Sequence, residues 1–381
     1  MNVLIAPDSF KGSLDPTAVA EALADGWRRA RGADEIRLIP LADGGEGTLE
    51  AVKATRGEWL ELPVHARDPL GRTLRATFLR RGDEALVEMA SASGLSRLAT
   101  DERDALAASS FGTGQVLAAA IGLGVRRVVI GLGGSATTDG GSGLLRALGA
   151  RFLDQHGDEL ADGGGALDRL AAIDLDGLAP VLAEVELTIA SDVTNPLLGE
   201  RGAAPTYGPQ KGADAKQVAR LEANLAHYAD VLEHAGGRSI RDEPGSGAAG
   251  GTTAGLLAVA DRFASFAIRP GVEVVMDLTG FDDALAGAQL VLTGEGRVDE
   301  QTAFGKTAQG VARRAQAAGV RCICFGGGVL PSGIEALAAL GAVVVPVTER
   351  PMTVDEAMAA GRQPLVRAAE RTARLVSLFE A

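Results

Sequence analysis

The sequence predicts an α/β protein of two domains, the first built from both chain ends and the second a mixed sheet-and-helix region between them. Three observations support this. At 381 residues the chain is long for one domain. Short apolar runs alternate with helix-like segments near both termini, as in βα units with a parallel sheet. Between them, from Trp59, the rhythm changes to short alternating runs around Asp68–Gly71 and Arg81–Asp83, which read as hairpins.

Val3–Ala6 reads as the first strand, ending in Pro7-Asp-Ser-Phe-Lys-Gly-Ser13. Asp15 and Pro16 then open a helix as N-cap and first helical residue. Ile36–Leu41 is a second strand, leading to Ala42-Asp-Gly-Gly-Glu-Gly-Thr48 and a helix over Leu49–Thr55. After the hairpins come a helix at Val116–Ala120, a strand at Arg127–Ile130, the loop Gly131–Gly141, and a helix near Leu144. Val185–Ala190 is a strand that ends in Ser191-Asp-Val-Thr-Asn-Pro196, and a helix spans Asp214 to about Ala235. Gly245–Gly255 reads as a flexible glycine-rich crossing, either linker or ligand loop. After Gly280 the chain returns to the first domain, with strands at Leu290–Leu292, Arg321–Phe325 and Ala342–Val347. A last helix shows Val366, Ala369, Ala373, Val376 and Phe379 on one face.

Composition narrows the function. A net charge of −13 argues against a broad nucleic-acid surface, so cations meeting an anionic ligand must be local. Cys322 and Cys324 lie in an apolar strand-like run without nearby His, and buried thiols fit them better than a metal site. His65, His156, His227 and His234 lack metal spacing. The Val3–Ala6 run is too short for a signal peptide, and no run approaches the ~18 apolar residues of a membrane span. A cytoplasmic protein is the expectation.

The segment Gln289–Ala312 gathers the most chemistry. After the strand Leu290–Leu292, a glycine-rich loop carries Glu295, Arg297, Asp299, Gln301 and Lys306 before a helix over Ala308–Ala317. Asp8, Asp43, Asp192, Glu295 and Asp299 each follow an apolar strand-like run, and open α/β sheets keep ligands at the carboxyl ends of strands. Phosphoryl transfer needs cations on phosphates, Mg²⁺ held by carboxylates, and a carboxylate positioning the attacking hydroxyl. Lys11, Lys211, Arg297 and Lys306 are the candidate cations. Two decoys stand beside this reading. Gly305-Lys306-Thr307 resembles the end of a Walker A loop, but Glu300 occupies the place of that motif's first glycine. Gly131-x-Gly133-x-x-Ala136 satisfies a dinucleotide fingerprint on paper, though Ser135, Thr137 and Thr138 suit a nucleotide phosphate better than a Rossmann turn. An NAD(P)-dependent oxidoreductase is the alternative that turn would support, and a non-catalytic binding protein of the same fold is another.

Six blocks, in order, resemble the type-1 glycerate kinases: Ala6–Ser13, Pro40–Thr48, Gly131–Gly141, Ser191–Pro196, Gly208–Gly212, and Thr293–Thr302 with Gly305-Lys306. The resemblance runs nearly end to end. It implies ATP-dependent phosphorylation of D-glycerate, usually at the 2-hydroxyl in bacterial members. It also implies a Rossmann-like domain built from both chain ends, an inserted domain, and an active site in the cleft between them. With the change of rhythm, this sets residues 1–61 plus 284–381 as the first domain and 62–283 as the insertion. Within that frame Asp192 is the first expectation for the carboxylate that handles the hydroxyl proton and Asp43 the second, with Lys11 beside them. Arg297, Asp8, Ser13, Asn195, Glu295 and Asp299 are assigned to glycerate, Arg297 because a guanidinium matches a carboxylate in bidentate fashion. Gly133, Gly134, Ser135, Thr137, Thr138, Lys211 and Lys306 are assigned to ATP. Mg²⁺ is expected on the phosphates through one or two carboxylates, its ligands unknown. A homodimer is left open.

Overall fold

The computed structural model describes residues 1–379 except 56, 301 and 303–305. Its strands are β1 (Asn2–Ile5), β2 (Glu35–Leu38), β3 (Leu60–Arg67), β4 (Thr73–Arg81), β5 (Glu84–Glu88), β6 (Arg127–Gly131), β7 (Arg151–Leu153), β8 (Ala172–Asp174), β9 (Glu186–Ala190), β10 (Ser265–Arg269), β11 (Leu290–Val298), β12 (Arg321–Val329) and β13 (Ala342–Pro346). The chain divides into two compact units, one of residues 1–43, 50–57 and 270–381, the other of residues 44–49 and 58–269. Both are α/β.

In the first unit the strand order is β13-β12-β11-β1-β2, with every neighbouring pair parallel. Val3, Leu4 and Ile5 are buried, as expected of a central strand covered on both faces. The helix Pro16–Ala30 starts where Asp15 accepts a hydrogen bond from the Ala18 N–H. It presents Val19, Leu23 and Trp27 to a core shared with Leu365, Val366 and Ala369 of the helix Gln363–Ser377. The apolar stripe of that last helix stops short of its predicted end, because the helix closes at Ser377 and Phe379 is 82% exposed.

β11 is longer than the sequence suggests. It continues from Leu292 through Gly294, Glu295, Gly296 and Arg297, in register with Phe325–Gly328 of β12, so Glu295 and Arg297 sit on a strand rather than in a loop. Glycine lowers intrinsic strand preference, but the backbone ladder is available to any residue and here overrides composition. The helix Gly271–Thr279 also belongs to this unit. Its Val272 and Met276 pack close over Gly310 of the helix Thr307–Ala318, which explains why the unit boundary at 269/270 precedes the 283/284 suggested by rhythm.

In the second unit the order is β10-β9-β6-β5-β4-β3. The run from β10 to β5 is parallel, and β4 and β3 continue it as antiparallel hairpin partners. The hairpin signals at Asp68–Gly71 and Arg81–Asp83 thus mark the antiparallel edge of a mixed sheet. A small antiparallel pair, β7 and β8, packs apart from it. The glycine-rich 245–255 segment corrects the linker reading. It enters a buried helix, Ala248–Ala258, through a left-handed turn at Ala249 (φ 53°), Gly250 (φ 67°) and Gly251 (φ 88°). Glycine tolerates that turn freely, whereas Ala249 holds it at a steric cost.

Candidate active site

The first unit has its topological switch point between β1 and β11. From β1 the chain passes through the helix Pro16–Ala30 to β2 on one side; from β11 it passes through the helix Thr307–Ala318 to β12 on the other. Connections that diverge from adjacent parallel strands open a crevice beyond their carboxyl ends. The loop from Pro7 and the end of β11 meet there, fastened by the Asp8 N–H donating to the Gly294 carbonyl at 2.9 Å.

Two carboxyls stand at this place. Asp8 is 7% exposed and accepts from the Ser9 N–H and the Thr307 hydroxyl, each at 2.6 Å. Burial, with the Asp43 charge adding to it, pushes its pKa up to about 6. Glu295 is 5% exposed and accepts from the Thr302 hydroxyl at 2.6 Å. Burial raises its pKa to about 7. Thr302 also accepts from the Asp299 N–H, at 3.1 Å. Lys11 reaches Asp43 at 3.1 Å, Arg297 pairs with Asp299 at 2.8 Å, and Lys306 lies 3.9 Å from the same carboxylate. The Ser13 hydroxyl donates to the Met358 carbonyl at 3.4 Å. Asp8, Lys11, Ser13, Asp43, Glu295, Arg297 and Lys306 therefore line one cavity of about 550 Å³. Gln301 and Gly305, singled out in the sequence, lie outside the described residues.

Thr302 and Thr307 were not among the expected site residues. Both are fully buried and both hold a site carboxyl. Their sequence signal is position: hydroxyls between strand-end acids and a helix start.

The second unit gathers a different set. Lys211 is 2% exposed, and its ammonium donates to the Ser135 hydroxyl at 3.0 Å and the Thr137 carbonyl at 2.5 Å. Burial lowers its pKa to about 7. The Thr138 hydroxyl is buried without a hydrogen-bond partner among the described residues, as is that of Thr253. Asp139, fully buried, accepts from the Ser110 N–H and hydroxyl, both at 2.8 Å, and from the N–H groups of Gly141 and Gly143. It fixes the loop's course. The glycines serve packing: a Cβ on Gly133 would lie 2.3 Å from the Gly45 Cα, and one on Gly131 2.5 Å from the Gly44 carbonyl oxygen. In a dinucleotide fingerprint that close approach is made by a pyrophosphate instead. Gly134, at φ 73°, turns the chain toward Ser135. Asp192 is half-buried just past β9. Asn195 holds its own loop, donating to the Arg201 carbonyl at 2.7 Å and accepting from the Tyr207 hydroxyl at 3.0 Å.

Thus Ser135, Thr137 and Lys211 come together in one unit, and Asp8, Lys11, Asp43, Glu295, Arg297, Asp299 and Lys306 in the other. Among the described residues no helix is long and apolar enough to cross a membrane.

The chain as a whole is similar to known proteins. The model of the glycerate kinase family matches residues 3–377. A glycerate kinase of Halalkalibacterium halodurans is 43% identical over 375 residues, covering 97% of each chain. The glycerate 2-kinase of Escherichia coli is 42% identical over 319 residues, 83% of this chain and 82% of that one. A crystal structure from Salmonella typhimurium LT2 shares the fold with a TM-score of 0.83 and 39% identity, covering 100% of this chain and 99% of that one. With a match that extends from residue 3 to residue 377, the chain belongs to the glycerate kinase family.

Proposed function

We propose that this chain phosphorylates D-glycerate at its 2-hydroxyl with ATP and Mg²⁺, releasing 2-phospho-D-glycerate and ADP, and that it does so in the cytoplasm. The observation that carries the reading is the pair of buried carboxyls, Asp8 and Glu295, set among Lys11, Lys306 and Arg297 at a parallel-sheet switch point. Transfer of a phosphoryl group asks the protein for positioning and charge, and this set supplies both. The name of the Escherichia coli relative supports the 2-position.

In this proposal the glycerate hydroxyl oxygen forms the new P–O bond, the bond to the departing ADP breaks, and the hydroxyl proton goes to a carboxylate. Asp8 is proposed for that role, since a pKa of about 6 suits proton acceptance near neutrality. Asp43 and Asp192, which the sequence ranks above it, then act as positioning carboxylates. Arg297 and Asp299 are proposed to orient the glycerate carboxylate and hydroxyls, with Lys11 and Lys306 on the phosphates. In the second unit Ser135, Thr137 and Thr138, with Lys211 behind them, are proposed as further phosphate contacts, and the unpartnered Thr138 hydroxyl supports this. Mg²⁺ takes oxygen ligands and commonly only one or two carboxylates. Asp43, which lines the same cavity, fits that need, and among the described residues no larger acid or imidazole cage gathers. When bound, the ion neutralises charge on the phosphate oxygens.

The test is ATP consumption with D-glycerate and Mg²⁺, coupled to enolase and pyruvate kinase without a phosphoglycerate mutase. Immediate signal is expected. Signal only after a mutase is added would overturn the 2-position, and a flat ADP assay in both formats would overturn the kinase reading for glycerate.

A further inference from the structure

The cavity beside Asp8 and Glu295 has a lining of two chemistries. One part is the charged groups described above. The other, its apolar end, is Leu330, Val347, Met352, Val354, Met358 and Leu365, from the end of β12, the segment after β13 with its helix Val354–Ala359, and the last helix. It meets the polar part where Met358 lies against Gly12 and Ser13. Val347 and Leu365 form a buried floor, while Met358 is 38% and Val354 74% exposed, so the upper wall is accessible from solvent. Glycerate, a three-carbon acid with oxygen on every carbon, has no use for an apolar wall. The cavity's size, about 550 Å³, lies within the roughly 300–1,000 Å³ typical of sites for larger organic ligands.

An occupant that matches both ends carries an anionic group and a flat apolar one. Lys11 and Lys306 complement the first, and Lys306 is also the N-cap of the helix Thr307–Ala318, where the helix dipole favours an anion. Methionine and branched aliphatic side chains complement the second, since a polarisable thioether packs well on an aromatic ring. Backbone at Gly327 and Gly328 lines the cavity as well, with the Phe10 ring beside Gly327.

We propose that the apolar end of this cavity receives the base of the nucleotide donor, with Lys306 and Lys11 at the polar end meeting its phosphates. The inference rests on the kinase reading above and adds the place where the donor is held. It assigns a binding role to Met352, Val354 and Met358, in a stretch where no sequence motif pointed to a ligand.

The experiment is calorimetric titration of the whole protein with ADP, with adenosine, and separately with D-glycerate. Wild-type protein is compared with Met358→Glu and Val354→Glu, whose exposed positions favour folding, and with Met358→Leu, which keeps the apolar wall. Tenfold or greater weakening of both ADP and adenosine in the Glu variants is expected, with Met358→Leu near wild type and glycerate binding retained. Lys306→Met is expected to weaken ADP while leaving adenosine alone. Unchanged ADP and adenosine affinity in both Glu variants would overturn the proposal. So would loss of glycerate binding alone, which would make the apolar end an extension of the acceptor site. Failure of the kinase reading is distinguishable: there, wild-type protein binds no ADP and the coupled assay is silent.

Discussion

Glu295 ties the chemistry of the site to the stability of the first unit. Its carboxyl is buried and its pKa stands near 7, against an ordinary value of 4.5. Because the folded value is the higher one, the stability linked to this group is fully present below pH 4.5. It is lost as the unfolded chain ionises first and the pH rises through 7. At 1.36 kcal/mol per pKa unit, the loss is about 3 kcal/mol in full and about 2.5 kcal/mol between pH 5 and pH 8. Glu295→Gln removes the titration while keeping an oxygen for the Thr302 hydroxyl, so the variant should gain on wild type by about 2–3 kcal/mol over that interval. Urea unfolding at both pH values measures it. The two units can unfold in separate transitions, so the readout must be local. Trp27, fully buried in the first unit, provides one once Trp59 is replaced by Phe. A stability difference between variant and wild type that is equal at pH 5 and pH 8 would refute the argument that burial raises this carboxyl.

Two further predictions address the remaining parts of the site. Asp8→Asn should lower kcat by ~10²-fold or more with the fold intact by circular dichroism; near wild-type turnover, with Asp192→Asn the slow variant, would return the base to Asp192. Gly133→Ala should destabilise the second unit by about 1–3 kcal/mol, because its Cβ would lie 2.3 Å from the Gly45 Cα and backbone must move. Trp59 fluorescence in urea reports it, and an unshifted midpoint would show that the loop yields without cost.

Much of the first unit was legible because short apolar runs alternate with helices there, the first of them capped at Asp15-Pro16. The charged residues of the site were legible for the same reason, since a strand's carboxyl end is a position that sequence can mark. What composition hid was backbone behaviour. Gly294 and Gly296 read as loop yet pair along β12, and Gly245–Gly255 reads as linker or ligand loop yet turns into a buried helix, since small residues suit close approach as well as mobility. The glycines of the 131–141 loop suggested room for a phosphate, whereas Gly131 and Gly133 accommodate Gly44 and Gly45. The apolar end of the cavity was invisible, because Met352, Val354 and Met358 meet Leu330 and Leu365 only through the fold. The one local sign there was the Thr353/Glu356 capping box that starts the helix Val354–Ala359.

The pairing of β1 with β11 has a consequence for how the protein is made. Val3 lies beside Leu290, so β1 waits for a partner synthesised almost three hundred residues later. At roughly 5–20 residues per second that interval is about 15 seconds to a minute. Throughout it β2 can protect one edge of β1, while the other shows Val3, Leu4 and Ile5 with their backbone groups open to any extended chain nearby. The nascent protein is therefore most exposed to aggregation before its central strand is enclosed, and holding factors that bind apolar segments early should raise its soluble yield more than those acting after release.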